Sequence, residues 1–325
     1  MSEAVLILVE HLKGAIADIS FELLGAGRKV ADALPGRLYA VVLGRETASL
    51  LPRLGAADAV LVVEDPALEV PSPAVAAAIL KQLAQQKQAS LVLLGGTNFF
   101  LGLGAMLSAA TGLPFVNFCK SLRLEDQSVL LTAQLFGGKL LADVRLPHRR
   151  GIVSLLAGSC PPEAGKSDRA PVVEKVALPA VPSGITFRQL LEPAAGDIDI
   201  TKQDILVSVG RGIQSQENLQ QVEALAAALG GAVSSSRPVV DQGWLPLTRQ
   251  VGKSGMTVKP KLYLALGISG APEHQEGMRD APLIVAVNTD PKAPIFDVAH
   301  YGATVDLFEL IEPLKAAVEN KKAGR

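Results

Sequence analysis

Nearly continuous apolar runs of strand length recur along the N-terminal part of the chain, separated by longer stretches with helical spacing of apolar residues. The strand-like runs are AVLILVEH at 4–11, RLYAVVLG at 37–44, AVLVVED at 59–65 and SLVLLGG at 90–96. The helical stretches are FELLGAGRKVADAL at 21–34 and PSPAVAAAILKQLAQQ at 71–86, where Ser72 is placed to cap a helix that begins near Pro73. Strands that are apolar on both faces are typical of a parallel sheet covered by helices, so this pattern predicts βαβ units.

The segment between Lys87 and Lys120 contains no charged side chain and is long enough to cross a bilayer. Its glycine, proline and polar residues divide it into a strand (SLVLLG), a turn, a short helix and a second strand (LPFVNF). We therefore predict buried α/β structure here and no membrane span. After Lys120, the stretch SVLLTAQLFGGKLLADVRL predicts a hairpin that turns at Gly137 and Gly138, which adds antiparallel strands to a mainly parallel sheet.

Residues 159–201 are rich in proline, glycine and acidic side chains and show little periodicity beyond one or two edge strands. The domain boundary is placed in this region. A second alternation follows, with DILVSVG, NLQQVEALAAALGG, AVSSSRPVVDQG, KLYLALGIS, LIVAVN and the helical VDLFELIEPLKAAVEN. We predict an α/β protein with an N-terminal domain at residues 1–195 and a smaller, doubly wound domain at residues 196–325.

Composition narrows the classes of partner. The 325 residues are 49% apolar but only 4% aromatic, and 31 Lys and Arg against 32 Asp and Glu leave a formal charge of -1. This balance excludes the basic surface expected of a nucleic-acid or anionic-membrane binder. The two cysteines, Cys119 and Cys160, are too few for a disulfide framework and lack zinc-site spacing, which indicates a reducing compartment. The N-terminus does not resemble a targeting peptide, so we expect a cytoplasmic protein.

Glycine and arginine at the end of the first strand of the second domain form the first candidate site. Gly210 and Gly212 follow DILVSV, where backbone amides and a helix N-terminus can hold a phosphate. The guanidinium of Arg211 can clamp the same group through two hydrogen bonds. A full dinucleotide fingerprint needs a third glycine where Ser215 stands, so an orthodox NAD site is not expected, and a plain tight turn is the alternative.

Two later loops carry polar groups beyond strand ends. SSSR at 234–237 offers hydroxyls and Arg237 at the edge where open α/β sheets bind ligands, and a surface loop is the alternative. QVGKSG at 250–255 resembles the end of a P-loop, but the upstream glycine and the leading strand are missing, so hydrolysis of a nucleoside triphosphate is not expected.

The C-terminal part contains the most specific pattern. In KLYLALGISGAPEHQEGM a strand ends in glycines and His274 opens the next helix, Asn288 ends another strand, and Asp306 is suited to capping the last helix or to contacting a ribose. In isolation, a single histidine at such a place is more often structural than functional.

Taken in order, VGRG, SSSR, VGKSG, LYLALGISGAPEH, VNTDPKAPIF and YGATVDLF within residues 204–312 resemble the FAD-binding domain of the electron transfer flavoprotein alpha subunit. The first domain is similar to the family's N-terminal domain, whose fold is like that of adenine nucleotide α-hydrolases. The C-terminal domain would then be Rossmann-like. The resemblance implies a redox carrier subunit without a substrate of its own, in which FAD takes electrons from a flavin dehydrogenase and passes them to a downstream acceptor.

By position, the resemblance implies that Arg211 contacts FAD and that Ser236 and Arg237 lie along it, with Arg237 near the isoalloxazine ring. It further implies that Ser254 replaces a family threonine near flavin N5 and that His274 lies near flavin O2. Asn288 and Asp306 would bind the adenosine end. The full set of implied FAD-binding residues is Arg211, Ser236, Arg237, Val251, Gly252, Lys253, Ser254, Ser269, Gly270, Ala271, Pro272, Glu273, His274, Asn288, Asp306 and Leu307.

Two departures from the family pattern bear on the flavin. Pro272 and Glu273 stand where the family has a bulky apolar residue and glutamine, and Lys253 stands where glutamine is common. A carboxylate facing the flavin lowers its potential and a cation raises it, and pairing among Glu273, Lys253 and His274 would cancel these effects in part. A cation beside O2, such as Arg237 or a protonated His274, favours the reduced flavin. We expect a flavin that is retuned rather than lost.

The resemblance also implies partners. A smaller beta subunit would complete a heterodimer and bind AMP or a second FAD, the electron donor would be a flavin dehydrogenase, and the acceptor a quinone-reducing or other protein. Three alternatives stay open: a subunit of an electron-bifurcating flavoprotein, an alpha-like nucleotide-binding scaffold that has lost its flavin, and the FAD- or ADP-holding domain of a thiamine-diphosphate enzyme. The last of these would need a much longer chain.

Overall fold

The computed structural model of the chain describes residues 4–33, 36–126, 128–180, 184–190 and 198–324. The chain divides into two compact units, Met1–Gln189 and Leu190–Arg325, called unit 1 and unit 2 below. The predicted boundary between residues 195 and 196 lies outside the described residues. No helix in the described ranges has the length and apolar character needed to cross a membrane.

Unit 1 is built on one mixed sheet with helices on both faces. Its strands are β1 (Ala4–Leu8), β2 (His11–Leu12), β3 (Ala15–Ile16), β4 (Arg37–Gly44), β5 (Ala59–Glu64), β6 (Ala89–Gly95), β7 (Phe115–Glu125), β8 (Ser128–Leu135), β9 (Leu140–Pro147), β10 (Gly151–Leu155) and β11 (Val172–Lys175). Its helices are α1 (Asp18–Asp32), α2 (Pro73–Gln86) and α3 (Leu103–Thr111).

The main sheet of unit 1 has nine strands in the order β11-β5-β4-β1-β6-β10-β7-β8-β9, and β2 pairs separately with β3. The seven strands from β11 to β7 run parallel. Strand β8 is antiparallel to both of its neighbours, β7 and β9. Side chains of β1 alternate between two cores, with Val5 and Ile7 packed beneath α1 and Leu6 and Leu8 beneath α2 and α3. Burial on both faces explains why the strand sequences are nearly all apolar.

Local sequence signals in unit 1 act as expected at several places. The Ser72 hydroxyl accepts a hydrogen bond from the Val75 amide and caps α2, which begins at Pro73. The hairpin of β8 and β9 turns at residues 136–138, as the two glycines predicted. The uncharged segment forms β6, α3 and the start of β7. Strand β7 continues to Glu125, however, so the strand predicted as LPFVNF, which ends at Phe118, was too short.

One acidic side chain is buried at the carboxyl edge of the unit 1 sheet. Glu10 follows β1 and is 5% exposed, and both of its carboxyl oxygens lie 2.8 Å from the Thr97 hydroxyl. Burial raises the pKa of Glu10 to about 7, because the interior disfavours the charged form. The folded protein therefore holds this carboxyl largely protonated below neutral pH.

Unit 2 is a five-stranded parallel sheet with its own two cores. Its elements are β12 (Ile205–Val209), α4 (Leu219–Leu229), β13 (Ala232–Ser235), α5 (Arg237–Asp241), β14 (Leu262–Leu266), α6 (Pro272–Glu276), β15 (Ile284–Val287), β16 (Tyr301–Ala303) and α7 (Leu307–Lys322). The strand order is β13-β12-β14-β15-β16. Helices α4 and α7 cover one face, and the segments around Val251, Ile268 and Ile295 cover the other.

The proline-rich stretch before unit 2 contributes to unit 1. Within residues 159–201, strand β11 pairs in parallel with β5 at the sheet edge. The Arg169 side chain donates hydrogen bonds to the carbonyls of Gly55 and Ala57, at 3.0 and 2.6 Å. The expectation of an edge strand in this poorly periodic region is thus confirmed.

Candidate functional site

A cavity of about 940 Å³ opens at the carboxyl edge of the unit 2 sheet. In the strand order, the connection after β12 leads to β13 in one direction, and the connection after β14 leads to β15 in the opposite direction. Neighbouring strands whose connections diverge leave a crevice between their ends, and this is where open α/β sheets bind ligands. The strand order therefore places the site before any side chain is considered.

The floor of this cavity is a crossing of two glycine loops. The Gly210 amide donates to the Leu266 carbonyl at 2.9 Å, and the Gly212 amide donates to the Gly267 carbonyl at 3.1 Å. A Cβ atom at Gly210 would lie 2.7 Å from Ile268 Cα, and one at Gly212 would lie 2.7 Å from Gly267 Cα. Only glycine allows the two backbones to approach this closely.

Beyond the crossing, the chain does not enter a long helix directly. Arg211–Ile213 form a short 3₁₀ turn, and α4 begins only at Leu219. The expected helix N-terminus next to Gly212 is therefore wrong, and the charged group that reaches the cavity at this point is the exposed Arg211 side chain.

Arg237 begins α5 at the rim of the cavity. Its Nε lies 3.3 Å from Asp241 Oδ2, one helical turn further on, and both side chains are more than half exposed. Asp241 also lines the cavity, so the guanidinium and a carboxylate reach it together. Ser236 precedes them in extended conformation at the end of β13 and is 7% exposed.

The loop at residues 250–256 closes on itself and lies against α6. The Gln250 side chain donates to the Ser254 hydroxyl at 2.9 Å, and the Gly252 amide donates to the Met256 carbonyl at 3.1 Å. Lys253 Nζ lies 3.7 Å from Glu276 Oε2, whose side chain is 15% exposed. Lys253 thus pairs with Glu276, which none of the sequence patterns indicated.

His274 is buried and its ring is fully engaged within the protein. Nδ1 lies 3.1 Å from the Val251 carbonyl oxygen, and Nε2 lies 2.9 Å from the Tyr263 hydroxyl. A carbonyl only accepts, so Nδ1 carries the proton and Nε2 of the neutral ring accepts from Tyr263. Burial lowers the pKa of His274 to about 4, so the protonated imidazole considered from the sequence does not form near neutral pH.

Two side chains at the far end of the cavity have both a structural role and spare hydrogen-bonding capacity. Asn288 donates to the Ile268 carbonyl and accepts from the Asp290 amide, both at 2.9 Å. Asp306 accepts from the Phe308 amide at 3.0 Å, which confirms it as the cap of α7. The second amide hydrogen of Asn288 and the second oxygen of Asp306 are available to a ligand.

Most of the predicted site residues line the cavity. Those that do are Arg211, Ser236, Arg237, Val251, Gly252, Lys253, Ser254, Ser269, Gly270, Ala271, Glu273, His274, Asn288, Asp306 and Leu307. Pro272 does not line it; this exposed proline forms the first turn of α6. Sequence reasoning missed several lining residues, among them Gln214, Asp241, Thr289, Asp290 and Pro294. They lie within a few residues of predicted ones, so strand-end position was the signal available for them.

Both units match known protein families. Residues 5–181 match the family model described as the electron transfer flavoprotein domain, and residues 199–279 match the electron transfer flavoprotein FAD-binding domain. The two matched segments follow the division of the chain into units 1 and 2.

Similar proteins align over nearly the whole chain. Electron transfer flavoprotein subunit alpha of Methylophilus methylotrophus is 34% identical over 318 residues, which cover 96% of this chain and 98% of the relative. Protein FixB of Azotobacter vinelandii is 37% identical over 337 residues, covering 98% and 93%. Lactate dehydrogenase (NAD(+),ferredoxin) subunit LctC of Acetobacterium woodii is 30% identical over 326 residues, covering 98% and 78%.

Proposed function

Because the chain belongs to the electron transfer flavoprotein family as an alpha subunit, we propose that it works purely as a redox carrier, with one FAD in unit 2 and no substrate turnover of its own. The family assigns FAD and electron transfer to this chain. The observation that carries the proposal further is the cavity at the glycine crossing, which is lined by cationic side chains such as Arg211 and Arg237 and by serine hydroxyls. FAD supplies the electron chemistry when it is bound, and the protein supplies binding, orientation and charge.

The residues present fit such a cofactor. The cavity volume of about 940 Å³ is at the upper end of the range typical of ligand pockets. A Cβ atom at Gly252 would lie 2.9 Å from the Glu273 carbonyl oxygen, and Gly270 has a φ of 83°, so the cavity wall includes backbone that no larger residue can form. The size of the cavity and the two arginines in its lining, Arg211 and Arg237, suit a long, phosphate-containing ligand.

The family resemblance suggests a role for each of these lining residues. We assign Arg211 to the pyrophosphate, because a guanidinium can donate two hydrogen bonds to phosphate oxygens. Ser236, Arg237 and Ser254 are assigned to the isoalloxazine end. The spare hydrogen-bonding groups of Asn288 and Asp306 are assigned to the adenosine end, as the family resemblance implies.

The charge pattern supports a retuned flavin. Asp241 offsets Arg237, and Glu276 offsets Lys253, so neither cation acts alone. His274 is neutral at the working pH, which removes a third positive charge. The carboxylate of Glu273 is exposed at the cavity and makes no ion pair within the described part of the chain. Together these features favour a lower flavin potential than three unopposed cations would give.

The family also implies a beta subunit as partner. We propose a flavin dehydrogenase as electron donor and a quinone-reducing or other redox protein as acceptor. The similarity to the lactate dehydrogenase (NAD(+),ferredoxin) subunit LctC keeps a subunit of an electron-bifurcating flavoprotein as the second candidate.

The test is an absorption spectrum and reductive titration of the chain purified with its co-expressed beta subunit. We expect flavin bands that bleach on reduction and return on exposure to an acceptor, without consumption of any small-molecule substrate. Arg211→Gln should weaken FAD binding about 13- to 160-fold, the loss of a hydrogen bond to a charged group. Lys259→Gln, which removes an exposed positive charge outside the cavity, is the matched control. A colourless complex that cannot be reconstituted with FAD refutes the proposal.

A further inference from the structure

The loop at residues 250–256 is held to α6 by backbone contact as well as by side chains. The Lys253 amide donates to the Glu273 carbonyl at 2.8 Å. A Cβ atom at Gly277 would lie 2.6 Å from Gly252 Cα, so the two segments touch through their main chains. Between these contacts, the imidazole of His274 donates from Nδ1 to the Val251 carbonyl.

The other ring nitrogen of His274 leads into the core of unit 2. Tyr263, on β14, is fully buried, and its hydroxyl lies 2.9 Å from His274 Nε2 and 2.7 Å from the Ser208 hydroxyl on β12. Burial raises the pKa of Tyr263 far above its ordinary value, so the phenol stays protonated and can donate. With Nε2 accepting from Tyr263, the Ser208 hydroxyl donates to the phenol oxygen.

We infer that Tyr263 is a positioning residue of the cofactor site: through His274 it ties the loop at Val251 to the strands of the sheet. Four segments meet in this hydrogen-bonded chain: β12, β14, α6 and the 250–256 loop. Buried hydrogen bonds that join four segments favour one arrangement of those segments, because each bond broken in the interior would leave a polar group without a partner. The inference rests on the proposed FAD site for its functional consequence, but the hydrogen-bond chain itself does not depend on FAD.

The two groups that hydrogen-bond to the His274 ring are uncharged. The Tyr263 hydroxyl of β14 and the Val251 carbonyl of the loop contact the ring directly. The charged side chains on the same elements are Glu273 and Glu276 on α6 and Lys253 on the loop, and Lys253 pairs with Glu276. His274 therefore acts on the cofactor by placing the loop that carries Ser254.

Nuclear magnetic resonance tests the hydrogen-bond chain without FAD. The chain has four histidines, so ¹⁵N-histidine labelling of the full chain with its beta subunit gives few signals, and His274→Asn identifies the relevant one. We expect a neutral ring protonated at Nδ1 whose signals do not move between pH 5.5 and 8, and an Nε2 shift that changes in Tyr263→Phe. A ring protonated at Nε2, or one that titrates in this range, overturns the inference whether or not any variant folds.

A double-mutant cycle tests the functional consequence. Tyr263→Phe should weaken FAD binding about 2- to 13-fold, the factor for one neutral hydrogen bond. His274→Asn keeps a donor near the Nδ1 position but loses the contact to Tyr263, so adding Tyr263→Phe to it should change FAD affinity less than 2-fold. His274→Gln, which loses the donor to Val251, should weaken FAD more than His274→Asn.

The results that refute the positioning role of Tyr263 can be distinguished from a failure of the complex to bind FAD. Tyr39→Phe, a buried tyrosine of unit 1, should leave FAD affinity unchanged. Equal weakening by Tyr263→Phe in both backgrounds, or no weakening in either, refutes the positioning role. If the unmodified complex binds no FAD, the proposed function fails, and the resonance measurement still decides whether Tyr263 holds His274.

Discussion

Lowering the pH from 7 to 5 should weaken unit 2 through one buried side chain, His274. Burial lowers the pKa of His274 to about 4 in the folded protein, from the ordinary value of 6.5. Between these two values the unfolded chain binds a proton that the folded chain does not. The stability that depends on the neutral ring is therefore full above pH 6.5 and is lost as the pH falls toward 4.

The size of the effect follows from the same two values. One pH unit of difference in proton binding is worth about 1.36 kcal/mol, so the 1.5 units or so between 6.5 and pH 5 correspond to about 2 kcal/mol. That is a large fraction of the stability of an ordinary domain.

Trp244 makes the measurement specific to unit 2, because it is the single tryptophan of the chain and packs against the core beneath α4 and α7. Urea unfolding followed by its fluorescence at pH 7 and pH 5 gives the free energy of unfolding of this unit. In His274→Asn the loss of stability between the two pH values should be smaller by about 2 kcal/mol. His11→Asn, in unit 1, is the control. Equal losses in the unmodified chain and in His274→Asn would show that the ring titrates normally.

Three further predictions concern the other groups. The raised pKa of Glu10 means that the unfolded chain ionises first as the pH rises, so unit 1 should lose about 1 kcal/mol of stability between pH 6 and pH 8. Glu10→Gln should abolish this loss, which thermal melting followed by circular dichroism measures. Glu273→Gln should raise the flavin midpoint potential by about 40 mV, the equivalent of about 1 kcal/mol for two charges near each other in water, with the exposed Glu309→Gln as control. Gly270→Ala should lower the free energy of unfolding of unit 2 by at least about 1 kcal/mol, because Gly270 has a φ of 83° and a Cβ there would lie 2.5 Å from Ile295 Cα. Urea unfolding followed by Trp244 fluorescence measures this change as a lower midpoint.

The sequence contained the information for the fold wherever a local rule acts alone. Ser72 before Pro73 marks the start of α2, and Asp306 marks the start of α7, because each cap needs only a short side chain and the amides that follow it. Strand β7 runs seven residues beyond its predicted end at Phe118, because half-buried positions such as Lys120 accept a charged side chain within a strand. Charge is a weak boundary signal where a strand is exposed on one face.

In the site, position was predictable and pairing was not. Strand ends and glycines identified most of the cavity lining, since ligands meet parallel sheets at the carboxyl edge. The partners of the charged and aromatic groups depend on contacts between segments distant in sequence. Tyr263 reaches His274 only because β14 and α6 pack together, and nothing in the spacing of the sequence indicates that the imidazole nitrogens are already occupied. The sequence therefore left a protonated His274 possible, whereas burial lowers the pKa of this side chain to about 4 and favours the neutral ring.

The glycine crossing of Gly210, Gly212 and Gly267 forms a floor of the cavity that tolerates no side chain, whereas the rim of the cavity consists of side chains that can be replaced. The floor is main chain in direct contact, so any side chain there is excluded by volume, whatever its chemistry. The rim consists of exposed side chains such as Asp241, Lys253 and Glu273, whose replacement costs little stability. A single substitution at one of these rim positions therefore changes the charge beside the cavity while the main-chain floor keeps its shape.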